Sequence, residues 1–279
     1  MNTCLITGST SGIGKATAYQ LAGKGWHVIL HGRKEGLCQQ SRDEIIRDTG
    51  NLQIDYVVAD LSLMKEVAKM AGEIKQRFPE LNILINNAGI ISMEHRLTSD
   101  GFELTWAVNY LSRFLLTNLL LDLLKKNAPS GIVEVAGAYH AKGEIHFEDI
   151  NLDKNYSFGI ANSQAKLANV LFTYKLAEKL KGTGVTVNCL HPGAVRTGAI
   201  DKTEHVPVLM KMAYKVMSRF FKSPEKGAET TVYLAASPNI TGISGKYFAD
   251  KKELKSAPQT YDKELQDNLW NLSEKMVKP

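Results

Sequence analysis

A chain of 279 residues with 34 Lys and Arg against 29 Asp and Glu, net charge +5, is long enough for one α/β domain with a well-filled core. The two signs are interspersed, so the basic excess reads as a solvated surface and argues against a nucleic-acid partner. Three widely spaced cysteines, Cys4, Cys38 and Cys189, suggest neither a disulfide framework nor a metal site.

The first strand is expected at Cys4-Leu5-Ile6, which leaves no room for a signal peptide, and no apolar run approaches the length of a membrane span. A cytoplasmic location is therefore expected. The strand runs into Thr7-Gly8-Ser9-Thr10-Ser11-Gly12-Ile13-Gly14 and then directly into a helix. So tight a turn needs residues without a Cβ, so that backbone N–H groups approach a pyrophosphate and the helix N-terminus faces its charge. Thr7, Gly8, Ser9, Ser11, Gly12, Ile13 and Gly14 are accordingly candidate dinucleotide-binding residues.

Trp26 to Gly32 reads as a second strand ending at Arg33-Lys34. An acidic residue there would hold a free ribose 2′-hydroxyl; a basic one suits a 2′-phosphate and points to NADP(H) over NAD(H). The plain alternative is a pair of solvent-facing basic residues. A helix over Glu35 to Thr49 and a strand over Ile54 to Val58 lead to Asp60, expected beside the adenine. Helical periodicity from Ser62 to Phe78 is followed by a strand, Asn82 to Ile85, that enters Asn86-Asn87-Ala88-Gly89. Such alternation predicts a parallel sheet covered by helices on both faces, with ligands at the strands' carboxyl ends.

Thr7 to Gly14, Asp60-Leu61 and Asn86 to Gly89, at these spacings, resemble the short-chain dehydrogenase/reductase family. Ile145-His146-Phe147, Lys166-Leu167-Ala168-Asn169, His191-Pro192-Gly193 and Gly245-Lys246-Tyr247-Phe248 resemble its retinol-dehydrogenase-like branch. The likeness covers nearly the whole chain. It implies a single Rossmann-type domain over residues 1–279, a doubly wound parallel sheet of about seven strands with helices on both faces. It also implies cofactor contacts from Asp60, Leu61, Asn87, Ala88, Gly89, Asn109, Lys166, Pro192, Gly193, Val195 and Thr197. Pairing into a homodimer or homotetramer would use the long helices near 101–127 and 158–182.

In that family an Asn, a Ser, a Tyr and a Lys carry the chemistry. Tyrosine exchanges the proton as hydride moves between nicotinamide and carbonyl carbon, lysine lowers its pKa and holds the ribose, and serine orients the substrate oxygen. Asn109 and Lys166 match. The serine position is filled by Gly137, and four residues before Lys166, where the tyrosine belongs, stands Asn162. A carboxamide neither supplies nor accepts a proton at physiological pH, although i, i+4 spacing should still aim it into the site.

Tyr139, His140 and Tyr156 are near enough in sequence to substitute, and loop packing is the ordinary alternative for each. Glu134, inside the fifth predicted strand, would carry a raised pKa if buried; the simpler reading gives it a basic partner at the strand's start. Residues 198–223 are expected to cap the substrate. Within them Lys211, Lys215 and Arg219 lie opposite a face rich in Leu, Met and Phe, which suits a pocket for a bulky apolar substrate, a weak membrane-surface contact, or core packing. Three functions remain open at this point. They are an NADP(H)-dependent oxidoreductase on an apolar carbonyl or activated alkene with a non-standard proton donor, a non-redox enzyme on the same fold (cyclase, isomerase, lyase or addition catalyst), and an inactive NADP(H)-binding sensor.

Overall fold

The computed structural model describes residues 2–196, 203, 206 and 208–278. In chain order the strands and helices begin β1 (Thr3–Ile6), α1 (Gly12–Ala22), β2 (His27–Gly32), α2 (Glu35–Thr49), β3 (Ile54–Val58), α3 (Met64–Arg77) and β4 (Ile83–Asn86). A short helix α4 (Leu104–Trp106) and a π-helical turn (Ala107–Leu111) lead into α5 (Ser112–Lys126), followed by β5 (Ser130–Val135), α6 (Phe158–Lys179) and β6 (Val185–Leu190). The remainder is α7 (Val208–Met217), α8 (Pro224–Ala236), β7 (Lys246–Ala249), β8 (Lys252–Leu254) and α9 (Lys263–Val277).

The strands form one sheet in the order β3-β2-β1-β4-β5-β6-β7-β8, parallel from β3 to β7. Its inner strands are apolar on both faces, Cys4-Leu5-Ile6 and Val28-Ile29-Leu30 being fully buried, because helices cover each side. One apolar layer joins α3, α5, α6 and α9, with Trp270 packed on Phe114 and Phe172; the other joins α1 and α8 beneath β1 and β2. All three cysteines are buried free thiols.

One expectation is extended and another corrected. To the about seven strands expected, the described residues add an eighth, because Asp250 and Lys251, at φ 48° and 63°, make a two-residue reversal that folds β8 antiparallel onto β7. The predicted helix from Gly101 is not regular. The Glu103 carboxylate caps it, accepting from Thr105 N at 2.8 Å and Trp106 N at 2.6 Å, and the π-helical turn then intervenes before α5. Among the described residues no helix is long and apolar enough to cross a membrane.

Candidate active site

The carboxyl ends of β1 and β4 are laced together at the glycine turn. Thr7 Oγ1 accepts from Asn87 N at 2.9 Å and Ala88 N at 3.0 Å, and Asn87 Nδ2 donates to Thr7 O at 2.8 Å. At Gly8, where φ is +65°, a Cβ would stand 2.8 Å from the Ala88 Cα; at Gly14 it would stand 2.4 Å from Asn87 Nδ2 and from Gly8 O. Only glycine fits either position. Gly12, Ile13 and Gly14 form the first turn of α1, whose N–H groups have no carbonyl partner within the helix and offer a cradle for an anion.

Other expected cofactor residues act through backbone or scaffold. Ser9 Oγ accepts from His31 N at 2.9 Å, which ties the glycine turn to β2. Arg33 and Lys34 are exposed just past β2, where Thr10 packs so closely on Gly32 that a Cβ there would lie 2.7 Å from its methyl carbon. Asp60 Oδ1 accepts from Ser62 N at 2.9 Å, and Leu61 is buried, so these two shape the loop after β3. Beyond β6, the Gly193 N–H donates to His191 Nδ1 at 3.0 Å. Arg196 N donates to Lys222 O, and Lys222 N to Ala194 O, each at 2.9 Å. Val195 packs so near Gly227, beside Ile13, that a Cβ at 227 would meet its methyl at 2.6 Å. Pro192 is half-buried in the same loop, and Thr197 lies outside the described residues.

At the reactive end, Asn109 sits in the π-helical turn, a distortion that turns its carboxamide onto the loop after β4. Its Oδ1 accepts from Ile90 N at 2.8 Å and its Nδ2 donates to Ile90 O at 3.0 Å, while its carbonyl accepts from Asn169 Nδ2 at 3.0 Å. Gly89 lies beside it, a Cβ there meeting Asn109 Oδ1 at 3.4 Å. Lys166 reaches from α6 to donate to Val135 O at 3.4 Å. Gly137 rests against the lysine stem: a Cβ there would meet Lys166 Cδ and Cε at 3.5 Å, an ordinary contact. Half-buried Asn162 lies one helical turn before Lys166.

Beneath them runs a buried polar chain. Arg113 Nη1 donates to Val135 O at 3.0 Å and pairs with Glu134 Oε2 at 3.4 Å, Nη2 donates to Ala88 O, and Asn86 Nδ2 donates to Glu134 Oε1. Arg113 and Glu134 are 1% and 0% exposed, so their charges meet each other rather than water. Burial pushes the Glu134 carboxyl above the usual carboxylate range, with Arg113 opposing. Burial, reinforced by the Arg113 charge and opposed by Glu134, pushes Lys166 down to about 7.

The sequence pattern of the short chain dehydrogenase family matches residues 2–206. The chain belongs to that family. Its relatives include mouse (Mus musculus) retinol dehydrogenase 14, 43% identical over 286 residues that span 99% of this chain and 85% of that protein. Human (Homo sapiens) polyprenol dehydrogenase is 39% identical, with 98% and 84% covered. A solved structure from Beutenbergia cavernae, described as an NAD(P)-dependent gluconate 5-dehydrogenase with bound NADP, superposes with a TM-score of 0.71 at 28% identity. That superposition covers 89% of this chain and 94% of that one.

Three of the substitute proton donors expected in this short-chain dehydrogenase are committed elsewhere. His140 Nδ1 meets Gly137 O at 2.8 Å and its Nε2 accepts from Ala257 N at 3.2 Å; the ring ties the loop after β5 to the C-terminal segment, and burial holds it below the usual histidine range. Tyr156 donates its hydroxyl to Ser92 O at 2.9 Å and packs its ring on His95, and burial raises its pKa. Glu134 is buried with a basic partner, but that partner comes from α5 and not from the start of β5. Tyr139 is 59% exposed.

Of the expected cap over 198–223, residues 198–202, 204, 205 and 207 lie outside the described residues. Met212, Met217 and Phe220, on and just after α7, are exposed, and so are Lys215 and Arg219. Two residues escaped the sequence reading. Buried His31 accepts from Gly8 N through Nδ1 at 3.0 Å and reaches Ala59 O through Nε2 at 3.2 Å, linking the loops after β1 and β3. Arg113 is the other. Each left a legible signal, a polar residue interrupting an apolar run.

Proposed function

We propose that this short-chain dehydrogenase is NADP(H)-dependent and interconverts a long apolar carbonyl compound with its alcohol, without the family's serine and tyrosine hydroxyls. The closeness of the glycine turn to the loop after β4 carries this reading, since both Gly8 and Gly14 are held where any side chain would collide. That cradle suits a dinucleotide pyrophosphate at the N–H groups of Gly12 to Gly14, and Arg33, exposed just past β2, would meet a 2′-phosphate. Lys166, and the loop that Asn109 holds, would take the nicotinamide ribose. When bound, the nicotinamide supplies or accepts hydride. Retinol and polyprenol in the relatives' names favour an isoprenoid or similarly long apolar substrate. The exposed Met212, Met217 and Phe220 are suited to cover one.

A second reading, non-redox chemistry in the same pocket, is favoured by one observation: Gly137 and Asn162 leave no hydroxyl at the two positions where the family has one. Titration of cofactor-stripped protein with NADPH, NADP and NADH, followed by incubation with all-trans-retinal and a saturated long-chain aldehyde, separates the readings. The expected result is 2′-phosphate-dependent binding and one NADPH consumed for each product two hydrogens heavier. Rearranged product without NADPH consumption establishes the second reading. Binding without turnover leaves a sensor, and no binding at millimolar cofactor overturns all redox readings.

A further inference from the structure

We propose that Lys166 itself transfers the proton in this site, its Nζ giving a proton to the substrate's carbonyl oxygen across the space opened by Gly137 and Asn162. The inference rests on the carbonyl-reducing reading above and supplies the donor which that reading lacks.

His140 has both ring nitrogens engaged, and the Tyr156 hydroxyl is spent on Ser92 O. Glu134 is enclosed beneath the loop ends, its two oxygens shared between Asn86 and Arg113. Asn162 can polarise a carbonyl through its N–H but has no proton to release. Tyr139 is 59% exposed at the surface, whereas Lys166 stands on the same helix face as Asn162, one turn away.

Three features make it a donor rather than a spectator. First, Gly137 presents no side chain to the lysine stem, where a Cβ would stand 3.5 Å from both Cδ and Cε. Second, Val135 O accepts from two cations at once, Lys166 Nζ at 3.4 Å and Arg113 Nη1 at 3.0 Å. A guanidinium does not deprotonate in a protein, so the repulsion between the two is relieved only by proton loss from the lysine. Third, the Glu134 carboxylate that could compensate is already paired with Arg113. Among the described residues the charged side chains acting on Lys166 are Arg113 from α5 and Glu134 from β5; burial lowers its pKa first, the Arg113 charge adds to this and the Glu134 charge opposes it.

The step balances simply. An N–H bond of the Lys166 ammonium breaks and an O–H bond forms on the substrate oxygen. The carbonyl carbon takes a hydride, two electrons and a proton, from a reduced nicotinamide that ends oxidised, and the neutral amine regains its proton from water. Carbonyl reduction therefore needs the ammonium and fails as pH rises through the lysine's pKa; alcohol oxidation needs the free amine and gains over the same range.

Two measurements test this. Competitive acetylation with acetic anhydride across pH, read on the Lys166 peptide by mass spectrometry, should show half-ionisation near neutrality, three pH units or so below an ordinary lysine. In parallel, NADPH-dependent reduction of all-trans-retinal is followed at saturating NADPH for the wild type, Lys166→Arg and Lys166→Met, with cofactor binding and circular dichroism as checks. Both variants should lose about 10²-fold or more in turnover, the arginine one despite its retained charge, and the wild-type rate should fall along the acetylation curve. A half-ionisation near the ordinary lysine value, or an arginine variant as fast as wild type, overturns the proposal while leaving the carbonyl-reducing reading intact. A wild type that binds NADPH and reduces nothing overturns that reading, and the donor assignment with it.

Discussion

Breaking the Arg113–Glu134 pair from either side should cost more than removing both partners together. Arg113 is 1% exposed and Glu134 0%, so each single change strands a charge with no water to receive it, a penalty of about 3–5 kcal/mol. Glu134→Gln keeps an oxygen for Asn86 Nδ2 and isolates the unpaired guanidinium as the cause. Arg113→Met strands the carboxylate and also removes the donors to Val135 O and Ala88 O, although burial already favours protonation of Glu134, which limits the loss. The double variant retains only the carbonyl deficit at Ala88 O, about 1–3 kcal/mol, because Val135 O keeps its Lys166 donor. Urea unfolding at neutral pH of the wild type, both singles and the double gives the coupling directly, expected to exceed about 2 kcal/mol. Coupling below about 0.5 kcal/mol, the value for independent sites, would refute the claim that the two charges exist for each other.

Gly137→Ser with Asn162→Tyr should raise NADPH-dependent retinal reduction about 10²-fold or more, since Gly137 is extended at φ 161° and has room for a Cβ beside Lys166; a double variant that binds cofactor and substrate but gains nothing shows that more than two hydroxyls is missing. Arg33→Asp should shift preference from NADPH toward NADH in a binding titration, and unchanged relative affinities would remove Arg33 from the 2′-phosphate site. His31 is held neutral by burial at a pKa of about 4, below its ordinary 6.5, so its contribution to stability is full above pH 6.5 and is lost as pH falls toward 4, about 3 kcal/mol in all. Denaturant titrations across that window should lose this acid slope in His31→Leu, and an unchanged slope would assign it elsewhere.

Much of the fold was legible because parallel strands buried on both faces read as apolar runs, and glycine turns punctuate them where the chain must pass close to itself. Gly8 and Gly14 were readable for that reason: the collision a Cβ would suffer with Ala88 or Asn87 is the constraint that the glycines encode. Strand β8 was not, since Lys252-Glu253-Leu254 is exposed and owes its pairing to the reversal at Asp250-Lys251 rather than to apolar patterning. At the site, Asn109 and Lys166 could be placed by the resemblance of the surrounding residues to the family. The engagement of His140 with Ala257, 117 residues away, could not, because no local pattern encodes so distant a partner. Arg113 and Glu134 each break an apolar run, and only their pairing across 21 residues shows that the two interruptions are one feature.

That pair also joins the two halves of the site. Arg113 donates to Ala88 O, on the loop that closes over the glycine turn, and to Val135 O, at the end of the strand that leads to Gly137. One buried guanidinium thus fixes the spacing between the dinucleotide cradle and the reactive end, and the oxygen it holds on the second side is the one Lys166 uses. In the family arrangement that the sequence resembles, a lysine charge lowers the pKa of a neighbouring phenol. Here Asn162 offers no phenol to act on, while a second cation stands against the same carbonyl as the lysine. The electrostatic work that would have activated tyrosine falls on the lysine instead, so a change at Arg113 should alter cofactor affinity through Ala88 and the lysine's ionisation through Val135 in a single step.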